Sequence, residues 1–275
     1  MTEIIRKKLS DSAGARWTAL LIVAFTMMMG YFITDVMSPL EVILETSKEQ
    51  GGLGWSSSDY GFFAGSYGLI NVFMLMLFFG GIILDKMGIR FTGVMASGLM
   101  VVGVIIKYFG VTTDFGDSKF TLDFVNFSLP MSATIASLGF AIFGVGCEIC
   151  GITISKIITK WFTGHELALA MGVQVGLARL GTTAAMAGSL PLAKAFGNHV
   201  SAPILLGLVL LIAGFLAFIV YTVMDKKLDA STGEVTGNVS DEDEGFHFAD
   251  LKFIFTNPGF WCITLLCLMF YSGVF

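Results

Sequence analysis

Gly81-Ile82-Ile83-Leu84-Asp85-Lys86-Met87-Gly88-Ile89-Arg90 joins two long apolar runs through one short charged turn. Its reading decides the fold. Gly81 has no side chain and leaves room for a neighbouring helix, and Gly88 permits the positive φ of a tight turn. Asp85 stands where the first apolar run gives out. Lys86 and Arg90 hold the turn on the cytoplasmic side, because short basic loops stay inside.

Working outward, about 20 apolar residues are needed per crossing. Six spans are expected: Trp17–Ser38 closed by Pro39, Ser58–Leu84, Phe91–Phe109, Met131–Ser155, Leu167–Leu190 and Ala202–Met224. The Ser56-Ser57-Ser58-Asp59 cluster should cap the second. The run after Arg16 is too long for a cleavable signal core and reads as a retained first span. Residues 1–224 form an N-terminal six-helix transmembrane bundle, and 225–252 form a cytoplasmic linker with an amphipathic segment at Phe246–Phe255. Residues 253–275 begin a seventh span. That last run reaches Phe275 without a polar exit, so the chain is expected to be truncated in helix 7.

The cytoplasmic segments then hold Arg6, Lys7, Lys8, Arg16, Lys86, Arg90, Lys156, Lys160, Lys226, Lys227 and Lys252. The outer segments hold only Lys48, Lys107, Lys119 and Lys194. This imbalance sets the orientation.

Composition agrees with a chain whose solvent is the lipid bilayer. Hydrophobic residues make up 55% and charged residues 13%, about half the charge of a soluble domain. Without a basic stripe, no nucleic-acid partner is expected. Cys147-x-x-Cys150 has metal spacing, but it lies in an apolar run with no histidine nearby. With Cys262 and Cys267 it reads as packing, so neither a metal nor a cofactor is expected. His165, His199 and His247 sit at or beyond span ends, and no hydrolase motif occurs, so the chain reads as no enzyme.

Gly81, Asp85, Lys86, Gly88 and Arg90 together fit G-x-x-x-D-[RK]-x-G-x-[RK]. That pattern resembles the gating loop between helices 2 and 3 of the major facilitator superfamily. The resemblance implies an all-α membrane protein, the six-helix N-terminal bundle of a major facilitator fold. It also implies a partner absent from this chain, the C-terminal half of the same transporter, with a small-molecule substrate between the halves. The segment from Cys147-Glu148 through Lys160-Trp161-Phe162 to Gly176-Leu177-Ala178-Arg179-Leu180-Gly181 is similar to the branch that includes the lysosomal dipeptide facilitator. That branch pairs an acid on helix 4 with an arginine on helix 5. Span 5 lacks the glycine-proline motif of drug antiporters, and sugar-porter signatures are missing.

Two charges fall deep within spans. Glu148 lies roughly 12 Å from the level of Lys156, and Arg179 roughly 18 Å from the level of Leu167. An acid and a base should therefore meet near the midplane. One reading is a structural ion pair locking two helices. The other is a site in which Glu148 holds an ammonium and the Arg179 fork holds a carboxylate, which suits a zwitterion.

Asp35, roughly 27 Å from Trp17, is either a proton or outer-gate residue or a solvated acid before Pro39. Tyr31, Tyr67 and Asn71 either line a substrate cavity or bond neighbouring helices. Gly61-x-x-x-Gly65 and Gly172-x-x-x-Gly176 read as close-packing stripes.

The expected function is secondary transport by alternating access, of dipeptides or other small zwitterions. The alternatives are a non-transporting sensor or scaffold and a transporter of small organic anions. The expected location is the cell (inner) membrane by default, with the lysosomal membrane as the alternative.

Orientation is testable by single cysteines introduced into a protein freed of its native ones. Positions in Asp85–Arg90 and 225–250 should resist an impermeant thiol reagent in intact cells, and positions in Asp114–Asp123 should react. Labelling of the 225–250 segment from outside would reverse the topology.

Overall fold

In the computed structural model, residues 9–47, 52–122, 127–232 and 255–274 are described. The first unit is a helical bundle. α1 spans Ala13–Asp35, and a 3-10 turn (Ser38–Leu40) and short α2 (Glu41–Glu45) follow it. The helix stops short of the expected Ser38, and Pro39 sits inside the 3-10 turn. α3 spans Ser57–Phe73 and starts as expected. Ser56 Oγ accepts from the Asp59 N–H at 3.2 Å, and Asp59 Oδ2 accepts from the Ser56 N–H at 2.8 Å. This reciprocal capping satisfies two donors the helix start would otherwise leave unpaired.

The expected second span is not continuous. α3 ends at Phe73, and α4 (Met76–Thr112) begins after Leu75, which has φ 50°. Neither Met74 nor Leu75 is a glycine or proline, so the break carries no sequence signal. Within α4, Gly88 leaves helical geometry at φ 77°, ψ 170°, as the turn requires.

The chain reverses at Gly88. Gly80 faces Ile149, and Lys156 bonds Asp85, so residues 76–87 run alongside α5 (Met131–Phe162) in the same direction. Beyond the turn, Gly146 faces Ala96 and Met100, Gly139 faces Gly103 and Lys107, and Gly110 faces Ala136, so 89–112 run the other way. Among the described residues, five helices are long and apolar enough to cross a membrane. The second crossing, split between α3 and 76–87, makes the sixth.

Between α4 and α5 the polar loop forms an antiparallel hairpin, β1 (Lys119–Leu122) with β2 (Phe127–Pro130). The sequence reading treated it as loop. The Phe127 ring packs against Phe62 at 5.1 Å. α6 (Leu167–Ala195) carries Pro191 inside it, beyond the expected end at Leu190. α7 (Ser201–Thr232) likewise runs past Met224 and takes Asp225 into the helix. The expected amphipathic segment Phe246–Phe255 lies outside the described residues except for its last position. So do Arg6, Lys7, Lys8, Lys48, Asp123, His247 and Lys252. A second unit holds α8 (Pro258–Val274), where Trp261 Nε1 donates to Phe255 O at 2.8 Å.

α4 and α5 meet along a glycine seam. A Cβ on Gly139 would lie 2.3 Å from Lys107 N, and one on Gly103 would lie 2.4 Å from Phe143 N. Gly103 and Gly110 on one helix, with Gly139 and Gly146 on the other, repeat two turns apart and let the backbones touch. The stripes read from sequence are elsewhere: Gly61, Gly65, Gly172 and Gly176 meet nothing within 4 Å. Gly81 is also open, and the close approach falls on Gly80, where a Cβ would be 2.6 Å from Ile149 Cγ1. Spacing shows that a small residue recurs on one face; it does not show which neighbour that face meets.

Gly139→Ala in the full-length protein should therefore lose about 1–3 kcal/mol through overpacking. Gly98→Ala, whose Cβ would make an ordinary 3.7 Å contact with Phe215, should be neutral or gain up to about 1 kcal/mol. Thermal unfolding in detergent measures both, and equal effects would contradict the seam.

Candidate functional site

α5 and α6 follow each other in sequence and touch little, while α6 packs mainly on α1. Gly30 of α1 lies against Cys147 of α5, and Gly181 of α6 lies against Met28 of α1. This arrangement governs where Glu148 and Arg179 go.

Glu148 is half-buried on α5. Tyr67 of α3 donates its hydroxyl to Glu148 Oε1 at 2.7 Å. Tyr67 is fixed in turn. Its backbone carbonyl lies where a Cβ on Gly144 would be 2.3 Å away, and its ring packs on Phe140 at 5.4 Å and Phe143 at 6.2 Å. Arg179 is exposed on α6, with its guanidinium carbon 5.4 Å from the Tyr31 ring centroid. Such a contact contributes about 0.5–1 kcal/mol at an exposed site, and it leaves the planar fork able to take a carboxylate.

The acid and the base do not meet as depth alone led one to expect. Among the described residues no ion pair joins Glu148 to Arg179: Glu148 is bonded to Tyr67 of α3, and Arg179 lies over the ring of Tyr31 of α1. Counting residues along a span fixes height, but the azimuth depends on what packs between the helices. Asn71 donates from Nδ2 to Tyr67 O at 3.4 Å, a weak bond, while its Oδ1 is buried without a partner. Asn71 is thus near Tyr67 but not bonded to Glu148. A hollow of about 490 Å³ opens at the hairpin end, lined by Asp114, Asp117, Lys119 and His199 among others.

The turn residues assemble at the opposite, basic end. Lys156 donates to Asp85 Oδ1 at 2.7 Å, with both side chains nearly half exposed. A pair of that kind contributes at most about 1 kcal/mol. Lys86 is exposed. Arg90 does more than hold the turn: its Nε donates to Asp225 Oδ2 at 2.6 Å, and it also pairs with Asp229.

Lys160 reaches Asp225 at 2.9 Å and Asp229 at 2.7 Å. Trp161 Nε1 and the Tyr221 hydroxyl both donate to Asp225 Oδ1, at 3.3 and 3.1 Å. The Asp225 side chain is fully buried, so this carboxylate ties the turn, α5 and α7 together with its charge compensated. The sequence reading missed it by ending the span at Met224.

A second missed residue is Lys107, counted above as an outer basic residue. It is fully buried, and Nζ donates to Ile33 O at 3.2 Å. Asp35, half-buried one turn-end away on α1, acts electrostatically on Lys107 without forming an ion pair with it.

A bundle of six spans, with a glycine turn between the second and third and an acid and a base carried on the fourth and fifth, defines a multi-pass membrane protein of transporter-like architecture. The sequence profile of the Major Facilitator Superfamily matches residues 20–275, and the chain belongs to that superfamily.

Similar curated proteins include the lysosomal dipeptide transporter MFSD1 of Danio rerio. It is 25% identical over 215 residues, 74% of this chain and 41% of that protein. The protein of the same name from Bos taurus is 23% identical over 269 residues, 94% of this chain and 51% of that protein. The chain spans about half the length of these relatives, or less. Among solved structures, peptide transporter POT in complex with sulfate aligns with a TM-score of 0.57 at 15% identity, over 95% of this chain and 47% of that one. At that identity the likeness concerns the fold.

Proposed function

We propose that the full-length protein is a secondary transporter that works by alternating access and carries dipeptides or other small zwitterions. The observation that supports this reading is that Glu148 and Arg179 form no ion pair among the described residues, each meeting a tyrosine instead. A carboxylate and a guanidinium that do not neutralise each other are matched to the two ends of a zwitterion. The names of the similar proteins, lysosomal dipeptide transporters, support the substrate class and favour the lysosomal membrane.

A second bundle would close the other side of the site, as in transporters built from repeats. The Asp85–Lys156 pair suits a gate in this scheme. It is surface-exposed and weak, so it can break and re-form during a cycle at little cost. The buried Asp225 network would stay closed and move as one body.

Uptake of dialanine by full-length protein in liposomes tests the reading. Arg179→Ala should abolish uptake of free-carboxylate peptides. Glu148→Gln should penalise dialanine by roughly tenfold or more while affecting N-acetyl-dialanine much less, since a charged hydrogen bond contributes about 1.5–3 kcal/mol. Equal uptake of both peptides by wild type and by the well-folded Glu148→Gln variant would refute the assignment.

A further inference from the structure

Lys107 has no part in the site described so far, yet a fully buried lysine within a span is costly to keep. Its surroundings are specific. The ammonium lies 4.3 Å from the Phe140 ring centroid and 5.2 Å from that of Phe63. Those two rings stack at 4.8 Å with a 12° interplanar angle. Its hydrogen bond goes to Ile33 O in the last turn of α1, the negative end of that helix dipole. Asp35, on the same turn, adds a compensating charge.

From this cation a continuous line of contacts leads to the site. Phe140, held under the ammonium, packs on Tyr67 at 5.4 Å, and Tyr67 donates the 2.7 Å hydrogen bond to Glu148. Phe143 backs both rings, stacked on Phe140 at 5.9 Å and 9°. An apolar side chain at position 107 could fill the same volume. It would offer neither the pull on two ring faces nor the tie to α1.

We propose that Lys107 is a positioning residue for the acid half of the site: its ammonium fixes Phe140 against Tyr67, and so holds Glu148 where a substrate amine can reach it. The proposal rests on the reading of Glu148 as the amine-binding group. Lys107 itself touches no substrate. It acts through two rings and a hydroxyl, and it anchors the end of α1 that carries Asp35.

The test is the preference of full-length protein for dialanine over N-acetyl-dialanine, measured as the ratio of kcat/KM values in liposomes. Lys107→Met keeps the length and removes the charge. It should reduce the preference by roughly tenfold, mainly through KM for dialanine, a size ordinary for a change along a contact network. A merely structural lysine would lower thermal stability and leave the ratio unmoved.

If Lys107→Met folds and keeps the wild-type ratio, the proposal is overturned. If it does not fold, Phe140→Leu decides, since it removes the ring between Lys107 and Tyr67: loss of the preference supports the chain of contacts, and the wild-type ratio overturns it. Glu148→Gln separates the two levels. Should that variant keep the preference, the amine-site reading fails and this proposal with it. Should it lose the preference while Lys107→Met retains it, only the role of Lys107 fails.

Discussion

A charge inside the hydrocarbon region needs a partner of its own, because left alone at the bilayer centre it costs at least about 2.5–3.5 kcal/mol. Four charges carried on helices of this bundle are partnered in different ways. Glu148 accepts from a tyrosine hydroxyl, and Arg179 lies over a tyrosine ring. Lys107 takes a helix-end carbonyl and two phenyl faces. Asp225 gathers Arg90, Lys160, Trp161 and Tyr221. Only the last is closed by full charges of opposite sign, and it sits at the basic end with the turn. The two groups proposed to hold substrate meet neutral partners, so their charge is not already spent on each other.

The glycine seam makes these placements reachable. With Gly103 and Gly139 in backbone contact, α4 and α5 approach closely enough for Lys107 to lie over Phe140. Gly144 does the same for α3, letting the Tyr67 backbone press against α5 and leaving its hydroxyl level with Glu148. Small residues thus set the distances, and the large rings between them set the directions.

Much of the architecture was legible. Apolar run lengths, the Ser56–Asp59 cap and the positive φ at Gly88 follow from local chemistry, and local chemistry survives folding. What failed depended on neighbours. Lys107 looked like an outer-loop cation because a lysine near a span end usually reaches water; here α1, α3 and α5 surround it. Asp225 looked like the start of a linker because two lysines follow it, yet α7 continues and Arg90 and Lys160 meet it. Glu148 and Arg179 fall within α5 and α6, but the tyrosine that each one meets depends on how α1 and α3 pack against those helices. No spacing in a single chain reports that.

The central claim, that Glu148 and Arg179 are not paired with each other, is tested most directly by a double-mutant cycle on stability. Wild type, Glu148→Gln, Arg179→Ala and the double variant of the full-length protein would be compared by thermal unfolding in detergent. The account predicts near-additive effects, with a coupling within about 0.5 kcal/mol as for residues that share no partner. A coupling of several kcal/mol, as expected when one partner of a direct buried pair is removed, would contradict it.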